Sequence, residues 1–96
     1  MDLEDVLRKI SGAKGKLADM GIRRLAVFGS FARNEATDTS DIDLLVEFSR
    51  PVGLFEFSRV RRQLSELLGR EVDLITFAGL REELRERILK ECVDAA

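Results

Sequence analysis

Three aspartates and a glycine–serine pair are the residues of this chain whose types and spacing can do chemistry. Asp41 and Asp43 stand two apart in the run Ser40-Asp41-Ile42-Asp43-Leu44-Leu45-Val46. Asp73 stands in a second run, Glu71-Val72-Asp73-Leu74-Ile75-Thr76, that also begins acidic and turns apolar. In an extended strand, residues i and i+2 lie on one side. Asp41 and Asp43 therefore share a patch, and Asp73 joins them if the two strands are neighbours. At about 5 Å and an effective dielectric near ~20, each such pair repels by roughly 3 kcal/mol. Proton uptake relieves the repulsion by raising a pKa. A divalent cation relieves it better, and all-oxygen carboxylate ligation suits Mg²⁺ or Mn²⁺. An isolated Asp-x-Asp is just as compatible with solvated acids at a strand edge, so the context has to decide.

That context lies upstream. Gly29-Ser30 closes the apolar run 22–29 and opens a short polar segment. Backbone N–H groups exposed at such a turn attract phosphate, and glycine lets the backbone come close. Ser30 adds a hydroxyl donor. Alone, Gly-Ser marks no more than a turn. Together with carboxylates on adjacent strands it makes the two halves of a nucleoside triphosphate site, one half holding phosphates and the other holding metal.

The elements that must position these groups follow from periodicity. Leu3, Val6, Leu7, Ile10, Ala13 and Leu17 fall at helical spacing and predict one helix over residues 2–20, weakened at Gly12 and Gly15 and stopped at Gly21. A strand is expected over 22–29, then a short helix through Ser30-Phe31-Ala32-Arg33-Asn34-Glu35 capped by the Ser30 side chain. Residues 36–40 read as a loop and 41–48 as the second strand. Leu54, Phe57, Val60, Leu64, Leu67 and Leu68 mark a helix over 54–68 that Gly69 ends. A third strand is expected over 71–77 and a last helix over 79–93, with Leu80, Leu84, Ile88 and Cys92 on its core stripe. On the exposed face of that helix, Glu83 faces Arg87 and Glu86 faces Lys90.

Composition bounds the function. Ninety-six residues, of which 45% are hydrophobic, make one domain spanning 1–96 with a small core. A net charge of −2 argues against a nucleic-acid binder that works by overall positive field, and no direct nucleic-acid binding is expected. The chain has no histidine, which removes His-based acid–base chemistry, His metal sites and Ser-His-Asp triads. Its single cysteine, Cys92, permits no internal disulfide, fits a reducing compartment, and reads as a small buried apolar residue on a helix. The acidic, amphipathic N-terminus is no signal peptide and no apolar run approaches a membrane span, so a cytoplasmic protein is expected.

Taken as a whole, the stretch 29–48 resembles the signature of the DNA polymerase β-like nucleotidyltransferases, and most closely that of the minimal nucleotidyltransferases, the small partners of HEPN-domain proteins in prokaryotic toxin–antitoxin pairs. The resemblance rests on Gly29-Ser30, the following Ala32-Arg33, Ser40-Asp41-Ile42-Asp43-Leu44-Leu45-Val46 and Val72-Asp73-Leu74-Ile75-Thr76, and it extends to the run Gly79–Glu91. It implies an α/β (α+β) fold, a small mixed sheet of about three strands flanked by helices. It implies Gly29 and Ser30 at the β- and γ-phosphates of ATP or another nucleoside triphosphate. It implies Asp41 and Asp43 as ligands of two Mg²⁺ (or Mn²⁺) ions, and Asp73 as the third carboxylate, placed to bind the catalytic metal and activate an acceptor hydroxyl. Arg33 either assists the phosphates or forms a surface ion pair, and Ser40 caps or orients the loop before Asp41. Family members often carry Gly where this chain has Asn34, and Asn tolerates a left-handed backbone better than most residues.

The activity implied is metal-dependent transfer of AMP from ATP to a hydroxyl, in its most specific version a tyrosine of a HEPN toxin, with the chain acting as antitoxin. Two other readings stand beside it: an antitoxin that neutralises its partner by stoichiometric contact alone, and a nucleotide- or metal-sensing module without transfer. The assigned elements leave nothing to bind an acceptor, so those contacts are expected from a partner or from a second copy in a homo-oligomer. Phe31, Phe55 and Phe57 are candidates for such an interface, with core packing the stronger reading for Phe57.

Overall fold

A computed structural model describes residues 1–96. A four-stranded sheet forms its centre, in the order β3-β2-β1-β4. The chain enters through α1 (Leu3–Ser11) and α2 (Lys14–Asp19), runs into β1 (Ile22–Phe28) and turns through α3 (Gly29–Ala32). It returns as β2 (Ile42–Phe48), crosses over through α4 (Leu54–Leu68), and continues as β3 (Val72–Thr76), a 3₁₀ turn (Phe77–Gly79), α5 (Glu82–Glu91) and β4 (Val93–Asp94). β1 pairs antiparallel with β2 and with β4, while β2 and β3 are parallel, joined by the α4 crossover.

Both faces of the sheet are covered, which explains why β2 reads as nearly continuous apolar sequence rather than clean alternation. On one face Leu25, Val27, Ile42, Leu44, Val46, Val72 and Leu74 merge with Val6, Ile10 and Leu17 of the first two helices and with Val60, Leu64 and Leu68 of α4. On the other face Ala26, Phe28 and Leu45 pack against Leu80 and Ile88. Asp43, one residue before Leu44 and two before Leu45, shares the second face with α5.

Several elements depart from the expectation. The single helix over 2–20 is two. Gly12 and Ala13 leave the α-helical run, Ala13 at φ −118°, ψ 20°, and a tight Ala13 N–H to Ile10 C=O bond replaces a helical one. The bend lets Ile10 and Leu17 reach the same core, and the poor helix propensity of Gly12 makes that break inexpensive. The first helix starts on a capping box, Asp2 and Asp5 each accepting from the other's backbone N–H. The last helix is shorter than expected: Leu80 and Arg81 are extended, Arg81 holding the N-cap position, and Cys92 leaves the helix at ψ 149°. Cys92 is half-buried at the helix end, not a buried helical residue.

Beyond it Val93 and Asp94 form a fourth strand where three were expected, fastened to β1 by Ala95 and Ala96 N–H bonds to the Leu25 carbonyl and by an Arg24–Asp94 ion pair at 3.0 Å. On α5 the Glu86–Lys90 pair forms at 3.2 Å, and no Glu83–Arg87 pair does. α4 spans the expected residues and ends at Gly69 in the left-handed region, but Leu54 at its start is 78% exposed and outside the stripe.

Candidate active site

The site is assembled at the end of β1 and the beginnings of β2 and β3. Phe28, the last residue of β1, is paired with Asp43 across the antiparallel ladder, and Asp43 is paired with Asp73 across the parallel one. Asp43 therefore lies between the Gly29–Ser30 turn on one side and Asp73 on the other, with neighbouring strands about 4.8 Å apart. Asp41 lies one residue before β2, exposed. Asp73 is exposed on β3, an edge strand of the sheet.

Gly29 is required by this arrangement for two reasons. Its φ is +73°, a region that side chains rarely adopt, and a Cβ there would overlap the Asp43 carboxylate. Asn34 likewise takes φ +58°, a left-handed backbone that asparagine tolerates better than most residues.

The electrostatics record the crowding. The Asp43 carboxyl is pushed up from 3.8 to about 6, first by burial, then by Asp73 and Asp41, with Glu91 adding to the rise and Arg33 opposing it. Its side chain is half-buried, on the α5 side of the sheet. The acids do not close into a group of three that could hold a metal ion in these side-chain positions. The register nevertheless brings Asp43 and Asp73 together, Asp41 lies near enough to act on Asp43, and the donor set is carboxylate oxygen throughout. That chemistry fits Mg²⁺ or Mn²⁺, and the excess negative charge is what a cation would neutralise.

The remaining predicted residues fall as follows. Ser40 orients the loop: its Oγ accepts from Thr37 N–H at 2.8 Å, and its carbonyl accepts from Arg70 Nη1 at 3.2 Å. Arg33 forms ion pairs with Glu35 at 2.9 Å and with Glu91 at 3.0 Å. Ser30 does not cap the short helix. Phe28 holds the N-cap position, with no side-chain cap. The Gly29 N–H donates to Glu91 Oε1 at 3.2 Å instead.

Glu91 is the residue that sequence reasoning missed. It reaches the turn across 62 positions of chain, from the end of an α5 that packs on β1 through Ile88 and is followed by the unanticipated β4. Of the candidate interface aromatics, Phe31 is 1% exposed and lies in the large core, under the Arg70 guanidinium. The first residue of α3 after the Gly-Ser pair thus points inward, and Phe31 is no interface residue. Phe57 packs on the core, edge-on to Phe48, while Phe55 is 87% exposed. A cavity of about 680 Å³ opens elsewhere, between α2 and α4, with Lys16, Arg59, Asp19 and Glu66 among its lining, and shares no residue with the acidic cluster. No helix is long and apolar enough to cross a membrane.

Comparison with known proteins gives the same direction. A family model described as a nucleotidyltransferase domain matches residues 7–95. A Methanocaldococcus jannaschii protein named as a protein adenylyltransferase is 43% identical over 98% of this chain and 98% of its own length. The protein adenylyltransferase MntA of Thermococcus cleftensis is 34% identical over 97% of this chain and 95% of its own. Among solved structures, a minimal nucleotidyltransferase superposes with a TM-score of 0.81 at 40% identity, covering 97% of this chain and 95% of that one. The MNT antitoxin complex with tri-AMPylated HEPN toxin of Shewanella oneidensis includes a chain sharing the fold at a TM-score of 0.69 and 16% identity, over 95% of this chain and 71% of that one.

Proposed function

Since the chain belongs to the nucleotidyltransferase domain family, we propose that it transfers AMP from ATP to a tyrosine hydroxyl of a HEPN-domain partner and thereby neutralises that partner as an antitoxin. The observation that carries this reading is the ladder register, which sets Asp43 beside both the Gly29–Ser30 turn and Asp73. The relatives' names and the AMPylated HEPN toxin in the distant complex support the choice of donor and acceptor.

In this reading the Gly29 amide and Ser30 hold the terminal phosphates, and the positive φ of Gly29 is what brings its amide close. Asp41, Asp43 and Asp73 are the residues that would hold divalent cations, whose part when bound is to screen the phosphates and the departing pyrophosphate. Asp73, exposed at the sheet edge, faces the side from which an acceptor can approach and accepts the hydrogen bond of its hydroxyl. The acceptor oxygen bonds to the α-phosphorus, the bond to pyrophosphate breaks in line, and the hydroxyl proton leaves toward the carboxylate. The products are an AMP ester and pyrophosphate. The reaction needs no side-chain nucleophile, consistent with a chain that has no histidine.

Neutralisation by contact alone has one observation in its favour: Leu54 and Phe55, 78% and 87% exposed, stand side by side at the start of α4. One experiment separates the readings. The protein is incubated with α-labelled ATP, Mg²⁺ and the HEPN-domain product of a neighbouring gene. The label is expected on a partner tyrosine. Asp43→Ala should lower the transfer by more than the ~100-fold that outer-shell partners of a metal cost, and neutralisation should fail with it. Neutralisation that survives Asp43→Ala intact would overturn the transferase reading in favour of binding.

A further inference from the structure

Glu91 sits where an anion is wanted. Its Oε1 accepts from the Gly29 N–H at 3.2 Å and from Arg33 Nη1 at 3.0 Å, and its Oε2 accepts from the same nitrogen at 3.3 Å. The side chain is 21% exposed, against 46% for Arg33. Its backbone is held rather than loose: Glu91 closes α5, and the next residues pair with β1 through Ala26–Asp94 and Val27–Val93. A carboxylate delivered this way to a backbone amide and a guanidinium satisfies the same donors that would otherwise take a phosphate oxygen. The price is a fourth acid beside Asp43, whose carboxyl Glu91 also pushes upward.

We propose that the Glu91 carboxylate is an internal stand-in for phosphate, occupying the Gly29 amide and the Arg33 guanidinium until a polyphosphate displaces it. Glu91 thereby sets how tightly the site takes its nucleotide. This rests on the reading of Gly29 as a phosphate-holding residue. The two anions cannot share one amide hydrogen, so binding and the Glu91 contact exclude each other. A rotation of the Glu91 side chain releases the donors and leaves β4 paired. Arg33 then turns from an ion-paired residue into one that holds phosphate, which joins the two roles the sequence left open for it.

An occupant differs from a structural brace in the signs it produces. Removing a brace weakens both the free protein and its complex. Removing an occupant weakens the free protein and tightens the complex. The test measures ligand-free melting temperature and, by calorimetry, the Kd for MgATP and for inorganic tripolyphosphate, in the wild type, Glu91→Gln and Glu35→Gln. Glu35 pairs with the same guanidinium through Nε but does not touch the Gly29 amide.

Glu91→Gln should melt lower without ligand and bind both polyphosphates about tenfold more tightly, equivalent to about 1.4 kcal/mol. Glu35→Gln should change the Kd by less than about twofold, as expected of an exposed pair. Unchanged or weaker binding by Glu91→Gln, while the wild type binds, would overturn the proposal and leave the site reading intact. An equal gain in Glu35→Gln would also overturn it, because general charge relief would then explain the effect. Failure of the wild type and both variants to bind either polyphosphate would overturn the proposal together with the site reading. Should Glu91→Gln not fold, Glu91→Asp keeps the charge but withdraws it from the amide by one methylene, and must also bind more tightly.

Discussion

The same three strands, β1, β2 and β3, serve two faces of the sheet in opposite ways. Toward α1, α2 and α4, alternate residues of each strand enter one cluster of fifteen buried apolar residues. Toward α5, the apolar packing is a cluster of five, and the other end of that face is given to Asp43 and Asp73, with Glu91 on the Gly29 amide beside Asp43. The difference shows where a small domain can keep mutually repelling acids. They lie where burial is incomplete, on strands whose register is held from the far side. A one-residue slip of β2 would carry Asp43 into the large core and Leu44 out of it, so the same packing that stabilises the fold also aims the carboxylate.

Adjacent residues of β2 test this most strongly. Leu44 and Leu45 are both fully buried, Leu44 in the larger cluster and Leu45 in the smaller. Burial removes a leucine's apolar surface from water in both cases, but a truncated side chain costs more where its surroundings cannot collapse. Leu44→Ala should destabilise by about 4 kcal/mol and Leu45→Ala by about 2 to 3 kcal/mol, within the range of large-to-small core changes. The midpoints and slopes of urea unfolding read both values. A Leu45→Ala loss equal to or greater than that of Leu44→Ala would remove the asymmetry between the faces.

A smaller effect is expected from the charged end of the α5 face. The folded-state pKa of Asp43 is raised, from 3.8 to about 6, so the folded protein holds its proton more tightly than the unfolded chain does. Its contribution to stability is therefore fully present below about pH 3.8 and is lost as pH rises through about 6. Asp43→Asn should flatten that decline and be more stable than the wild type at pH 7 without metal, by about 1 kcal/mol. The full shift would correspond to roughly 3 kcal/mol, but water around a half-exposed carboxylate screens much of it. Melting temperatures of both proteins from pH 4 to 8 in chelator give the answer. Parallel curves would mean that Asp43 carries no strain and that the two faces do not differ electrostatically.

Much of this architecture is legible along the chain because its causes are local. The paired acids before apolar runs at Asp41–Val46 and Val72–Thr76, the Gly29–Ser30 break and the Gly69 stop each carry their own turn or strand chemistry, and the structure has an element boundary at each. The adjacency of β2 and β3 follows from a helix of crossover length between them. The features that no local pattern announces depend on distant pieces. β4 is two residues long, too short for any alternation to announce it, and exists because β1 offers a free edge. Glu91 reads as one more acid on a charged helix until β4 fixes where that helix ends. Phe31 looks like a surface aromatic until the turn at Gly29 aims it into the core. The split at Gly12 is written in its weak helix propensity, but the need to bend comes from the core that Ile10 and Leu17 share.

The smallest effect concerns charge that does not face the sheet. Lys90 and Glu86 pair at 3.2 Å on the outside of α5, with side chains 75% and 85% exposed. One residue on, Glu91 is 21% exposed and bonded to a backbone amide. Water screens the outer pair and leaves both ends free to reorient, so its attraction is largely offset by the side-chain freedom lost in forming it. Lys90→Ala should move the melting temperature by less than about 2 °C, the scale of a few tenths of a kcal/mol in a domain of this size, and leave MgATP binding unchanged. A larger shift, or an altered Kd, would mean that the outer face of α5 is coupled to the site and that the boundary between the two kinds of charge has been drawn one residue too early.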